Sequence, residues 1–427
     1  MFLGQFTKEE RSWIMYDWAN SVFATIMVAA VFPVFFVAMA GGEQTPGSAW
    51  WGWGTAFARL LLGVAAPVIG AILDYRGYKK KLFVTFVSLG VLFTLLLSVQ
   101  TSWQTLLLGY IMANMFWSAG NFIYDSYLPD VTTRDRMDKV SAWGYALGYI
   151  GGSTIPFTVS IFLLLFGGNF GIDADLAVRI SIVMTAVWWG VFSIPMIRDV
   201  HHKYGVDSPQ KGFMREAFKN AVSTARKIAK NKGMLVFIIA YFFYIDGVGT
   251  VIGMATAYGA ELGLDAAGMI GALFLTQIVA IPFTMLFGKL AKVMNPINLL
   301  ACAIGVYIVI CVKGFVMGFG LEAAWFDESV AIIIFWALAF MVGTVQGGVQ
   351  AISRSTFGRL VPPENSGEYF GFFEIYGRFS TILGPFLYAT VLTITGRPSI
   401  SMLSIIFIFL IGLTILLAGR RHILKYL

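Results

Sequence analysis

The stretch Gly70-Ala71-Ile72-Leu73-Asp74-Tyr75-Arg76-Gly77-Tyr78-Lys79-Lys80 ends one long apolar run and begins the next. Its two glycines permit a tight turn. Asp74 can cap or pair at a neighbouring helix end, and the lysines are expected at lipid headgroups.

Working outward, about twelve runs of this kind fill the chain, each near the ~20 residues needed to span a bilayer core. They lie at roughly 12–39, 50–73, 82–99, 104–128, 141–166, 177–197, 233–258, 266–290, 296–319, 329–353, 369–394 and 399–419. The 427 residues are 58% hydrophobic and 12% charged, with mean hydropathy +0.77. Soluble domains carry about 25% charged residues, so the apolar excess has to face hydrocarbon. Spans in lipid are helices or closed barrels, and long runs without two-residue alternation exclude the barrel. The first run is too long for a signal peptide and carries Asp17 and Asn20. Cys302 and Cys311 lie nine apart in one predicted helix, too far to bridge.

Basic residues alternate from loop to loop. Lys8 and Arg11, Arg76 to Lys81, Arg134 to Lys139, the 198–232 segment, Lys289 and Lys292, Arg359, and Arg420 to Lys425 form one set, while the intervening loops are acidic or bare. The positive-inside rule places the basic set, and both termini, in the cytoplasm. The net charge of +7 is thus a topology signal, and no nucleic-acid partner is expected. Trp50, Trp51 and Trp53 suit an aromatic belt at the outer end of the second run.

An internal repeat runs at a constant offset of 229, pairing Asp17 with Asp246, Asn121 with Gln350, Asp125 with Arg354, Gly148 with Gly377 and Pro156 with Pro385. The expectation is therefore an all-α membrane protein, with twelve transmembrane helices in two pseudo-symmetric six-helix bundles. Residues 1–196 would form the first bundle and 233–427 the second, with a cavity at their interface. Between them, 197–232 would be a cytoplasmic linker whose Phe213, Ala217, Ala221, Ala225 and Ile228 repeat at helical spacing, as in a basic amphipathic helix lying on the inner membrane surface.

Between the second and third of twelve runs, Gly70, Asp74, Arg76, Gly77, Lys79 and Lys80 resemble the loop motif of major facilitator transporters. The second-half counterpart is degraded, with Lys292 where the acid would stand. More narrowly, Tyr16-Asp17-Trp18-Ala19-Asn20-Ser21, the segment Val140 to Gly152 and the segment Val345 to Ser355 resemble the vacuole effluxer branch of that superfamily, the autophagy-related family. The resemblance implies the facilitator fold, a pathway lined by helices 1, 4, 7 and 10, and export of amino acids.

Charged side chains inside spans are functional candidates by default. Asp17, Asn20, Asn114, Asn121, Asp246, Gln346 and Gln350 are expected on the solute and proton pathway, the acids to carry a proton and the amides to bind a zwitterion. Asp125 and Arg354 hold equivalent repeat positions with opposite charge and, with Glu374 and Arg378, are expected to form a cytoplasmic gate. Each has a plainer reading as interhelical glue or a static ion pair. Gly144, Gly148 and Gly152 recur every four residues and allow close helix crossing.

No Walker A sequence, metal-ligand cluster or nucleophile elbow occurs. The expectation is no enzyme, no metal and no cofactor beyond a transmembrane proton gradient. Its partners would be the bilayer and a small solute such as an amino acid, and the chain would act as a monomer in the cytoplasmic membrane, or alternatively a vacuolar one. The competing class is a non-transporting receptor or scaffold on the same fold.

Overall fold

The structure, a computed structural model, describes residues 4–40, 47–207 and 213–427. Some side chains within its helices, including Arg59 and Arg378, lie outside the described residues.

Twelve long helices follow in chain order: α1 Lys8–Ala40, α2 Gly47–Leu73, α3 Tyr78–Leu97, α4 Trp103–Ser126, α5 Met137–Phe170, α6 Ala174–Asp199, α7 Lys232–Glu261, α8 Ala266–Leu290, α9 Pro296–Glu322, α10 Glu328–Leu360, α11 Ser366–Thr395 and α12 Pro398–Ala418. Among the described residues, ten are long and apolar enough to cross a membrane by length and composition alone. The exceptions have visible causes. In α2, the segments Trp53–Gly63 and Ala65–Leu73 meet at 43°, where Pro67 cannot donate to the carbonyl of Gly63. In α11 the apolar stretch among the described residues is Ile382–Thr395, and Glu368, Glu374 and Arg378 lie in the first half of the helix.

The ends are set by local chemistry. Thr7 and Glu10 form a reciprocal capping box at α1, and Ser102, Asp173, Asn231, Asp265 and Asn295 cap α4, α6, α7, α8 and α9. Capping matters here because lipid offers no partner to an unpaired backbone group.

The chain folds as two compact units. The first comprises Met1–Arg134, Leu147–Val222 and Val361–Phe372. The second comprises Asp135–Ala146, Ser223–Leu360 and Phe373–Leu427. The first turns of α11 therefore pack with the first half of the sequence, and the first turns of α5 with the second half.

In unit 1 the core is aromatic: Trp13, Tyr16, Phe23, Tyr124 and Trp189 are all within 1% of full burial. Here α1 and α5 touch backbone to backbone, since a Cβ at Gly152 would lie 2.3 Å from the carbonyl carbon of Ser21. Both helices widen into π-helical turns near this crossing, at Phe23–Ala30 and Tyr149–Thr154. The core of unit 2 is built on Tyr244, Tyr258, Tyr307 and Phe409, with the rings of Tyr307 and Phe409 stacked at 5.3 Å. Val34, Leu108, Leu165, Ile333 and Phe407 are each more than 60% exposed, as lipid-facing positions must be.

The linker helix Phe213–Lys230 is present; Ala217, Ala221 and Ile228 of its apolar stripe are buried, and the Phe213 side chain lies outside the described residues. Ala217 is fully buried against Ala71 and Tyr75, flanked by Val68, Ile72 and Val206. The small alanines let the helix sit on protein. Among the described side chains of this helix, the exposed apolar ones are Phe218 and Val222, which lie off that stripe.

Candidate functional site

In unit 1, the turn that opens the sequence reading is a docking point for α11. Gly77 adopts φ +81°, which lets the chain reverse after α2. Asp74 is buried, and its carboxylate accepts the backbone N–H of Gly367 at 2.7 Å and of Glu368 at 2.9 Å. A carboxylate at a helix start satisfies orphan donors and the positive end of the dipole together. The approach is possible only because both contacting residues lack a side chain: a Cβ on Gly70 would stand 2.4 Å from the Gly367 carbonyl oxygen, and one on Gly367 2.5 Å from that of Gly70. Burial pushes the Asp74 carboxyl well above the ordinary carboxylate range, while Lys79 and the two N–H groups pull it back.

Lys79 does not sit at headgroups. It is 0% exposed, and its ammonium donates to the Ser126 carbonyl, to Asp130 and to Ser366 Oγ, each at 2.9 Å. Three acceptors saturate the three N–H donors, which is what makes burial of this charge tolerable. Lys80, next in sequence, is half-buried, and Arg76 is exposed, donating to the Gly205 carbonyl at 3.0 Å.

Unit 2 holds a second buried ion pair. Asp138, in the first turn of α5, accepts from both terminal nitrogens of Arg359 at 2.6 and 2.8 Å, and from the Ser355 hydroxyl. One turn away, Arg354 donates to the Ser141 hydroxyl at 2.9 Å and the Ser141 carbonyl at 3.0 Å. Its guanidinium lies 4.3 Å from the centre of the Tyr145 ring, a cation–π distance. Asp130, Asp138, Ser366 and Arg359 were not among the expected site residues. The repeat could have found two of them, because Asp130 and Arg359 share the 229 offset.

The expected pathway residues divide by unit. In unit 1, Asp17 is buried and accepts from the Tyr124 hydroxyl at 2.7 Å. Asn20 donates to the Tyr16 carbonyl at 2.9 Å, and the Asn20 carbonyl accepts from the Trp117 indole at 3.1 Å. Asn114 bonds Tyr110 and Ser118, both at 3.3 Å along its own helix. Asn121 is half-buried, and its side-chain oxygen has no partner among the described residues.

In unit 2, Gln350 donates to the Gln346 carbonyl at 3.1 Å, while the side-chain nitrogen of Gln346 is buried without a partner among the described residues. Gln346 also walls an apolar cavity with Val251 and Tyr258 of α7, Thr276 and Gln277 of α8, Phe335 of α10 and Met402 of α12. Asp246 is 0% exposed, and neither carboxylate oxygen has a hydrogen-bond partner among the described residues. It stands beside Gly384 of α11, where an added Cβ would come 3.1 Å from Asp246 Oδ2 and 1.9 Å from Thr250 Oγ1. The glycine keeps a small space open at the acid.

Of the expected gate residues, Asp125 is half-buried in unit 1 and Arg354 is buried in unit 2. Glu374 is half-buried in α11. The Arg378 side chain lies outside the described residues. Among the described residues no group of His, Cys, Asp and Glu could hold a metal ion.

The chain is similar to known proteins along its length. Residues 53–421 match the family model described as "Vacuole effluxer Atg22 like". An MFS-type transporter of Bacillus subtilis (strain 168), YxiO, named as uncharacterised, is 41% identical over 96% of this chain and 95% of its own. Autophagy-related protein 22-1 of Aspergillus fumigatus is 26% identical over 66% of this chain, which spans about half of that longer protein, 48%. Among solved structures, the transporter FucP in the outward conformation superposes with TM-score 0.69 at 10% identity, covering 97% of this chain and 99% of the other. The proton:xylose symporter XylE does so with TM-score 0.67 at 11% identity, over 95% and 93%. Helices of spanning length, the loop motif docked on α11 and these likenesses agree: the chain is an integral membrane transporter of the major facilitator fold and belongs to the Atg22-like vacuole effluxer family.

Proposed function

We propose that this transporter exports small solutes, amino acids first among them, by alternating access coupled to proton movement, with Asp246 as the proton carrier. The observation that carries the proton reading is the contrast between two repeat-equivalent acids. Asp17 is satisfied by the Tyr124 hydroxyl, whereas Asp246 is fully buried with neither oxygen paired among the described residues. A charge held in such a place costs several kcal/mol, which is the reason to read this acid, and not Asp17, as the one that binds and releases a proton. Taking one up and giving it away is the chemistry an acid so placed can do.

The amino-acid reading rests on the family resemblance and on the amides within the spans, Asn20, Asn114, Asn121, Gln346 and Gln350, which can bond both a carboxylate and an ammonium. Asp125 and Arg354, with Glu374 and Arg378, are read as a cytoplasmic gate that makes and breaks its ion pair during the cycle. The protein acts as a monomer, with both termini in the cytoplasm, in the cytoplasmic membrane. Proteoliposomes holding labelled amino acids test this. A pH gradient is expected to drive labelled substrate uphill, and flux indifferent to both substrate and gradient would favour a receptor on the same fold.

A further inference from the structure

The chain leaving α6 is bound to unit 1 at every step. Asp199 accepts from the Ser12 hydroxyl at 3.0 Å and pairs with Lys8 at 2.9 Å. The Lys203 ammonium pairs with Glu9. The backbone N–H groups of Lys203 and Tyr204 both donate to one oxygen of Asp130, at 2.8 and 3.0 Å. Val206 then runs alongside Tyr75 as a single β-bridge: its N–H donates to the Asp74 carbonyl at 2.8 Å, and its carbonyl accepts from Arg76 N–H at 3.0 Å.

Two residues receive this strap, and the same two hold the start of α11. Asp130 gives its other oxygen to Lys79, which also bonds Ser366. Asp74, whose carbonyl takes Val206, gives its carboxylate to Gly367 and Glu368. His202 lies in the same segment, and burial together with Lys79 holds it down to about 4, so it adds no positive charge beside Lys79 at neutral pH. A carboxylate with one acceptor tied to the strap and the other to the α11 side is fixed in orientation by both.

We propose that Lys203–Val206 is a positioning strap: it holds Asp74 and Asp130 in the geometry that grips α11, so that loosening the linker loosens the grip. The inference stands on unit 1 alone and requires neither a particular solute nor proton coupling. It makes the linker a control element of the transport cycle rather than a tether.

Hydrogen exchange followed by mass spectrometry on the purified full-length protein tests it. Val206→Pro removes the donor to Asp74 and leaves every side chain of the grip in place. Amides in 366–372 are then expected to exchange at least about threefold faster than in wild type, while Val206→Ala, which keeps the N–H, exchanges like wild type. Faster exchange confined to 203–207, with 366–372 unchanged, overturns the proposal. Should Val206→Pro fail to fold, Arg76→Ala removes the exposed side-chain bond to Gly205 instead. A rise of about twofold in 366–372 supports the strap, and no rise refutes it.

Discussion

Asp130 and Arg359 stand 229 residues apart at equivalent points of the two repeats, and each holds a buried ion pair of opposite sense: Asp130 with Lys79 at 2.9 Å, Arg359 with Asp138 at 2.6 Å. Both pairs bind a segment from the distant end of the sequence repeat, α11 in one case and α5 in the other. The polarity of the contact is inverted while its position is kept.

Removing one partner of such a pair leaves the other buried and uncompensated, at a cost of about 3–5 kcal/mol. Lys79→Ala is therefore expected to lower thermal stability steeply. Lys81→Ala, two residues on and exposed, should stay within about 0.5 kcal/mol of wild type, as surface changes do. Melting curves of both variants in the same detergent decide whether the two lysines differ as their burial requires.

For the second pair, Asp138→Ala should destabilise by a similar amount, and Asp138→Leu combined with Arg359→Leu should recover part of the loss, because an apolar pair of similar volume does not carry the desolvation cost. A double variant no more stable than the single one would mean that the hydrogen bond from Ser355 to Asp138, lost in both, and not the charge pair, holds this corner.

The glycine contact makes a steric prediction. Gly367→Ala places a methyl group 2.5 Å from the Gly70 carbonyl oxygen and 2.7 Å from Leu73 Cβ, so the start of α11 has to move away. A loss of about 1–3 kcal/mol is expected, with faster hydrogen exchange at 366–372. Gly396→Ala, also in the second half and at φ +63°, should leave that segment's exchange unaltered.

Much of this was legible before any coordinates. Apolar runs gave the spans, since lipid imposes its length rule directly on sequence. The turn at Asp74 was readable as a cap, though not which helix it caps, because a carboxylate shows its chemistry and not its partner 293 residues away. Lys79 was misread because a lysine near a span end usually reaches for water, and only the three convergent acceptors show that this one need not. Asp138 sits between Arg136 and Lys139, so sequence alone does not distinguish it from a solvated surface charge. In the linker stripe Ala217 and Ala221 are small enough to fit against protein as well as lipid, which is how Ala217 comes to pack on Ala71 and Tyr75.

The gate reading predicts compensation. Asp125→Arg and Arg354→Asp are each expected to abolish counterflow, and the double reversal to restore a measurable part of it. Because Arg354 also donates to Ser141, recovery should be partial. Failure of the double variant, with protein of normal yield and stability, would remove these two residues from the gate.

The central claim is that Asp246 carries the coupling proton, and one measurement reaches it directly. In proteoliposomes, Asp246→Asn is expected to keep exchange of labelled against unlabelled substrate within about threefold of wild type, since no proton need move in that mode, and to lose uphill accumulation driven by a pH gradient. Accumulation by Asp246→Asn equal to that of wild type would contradict the account.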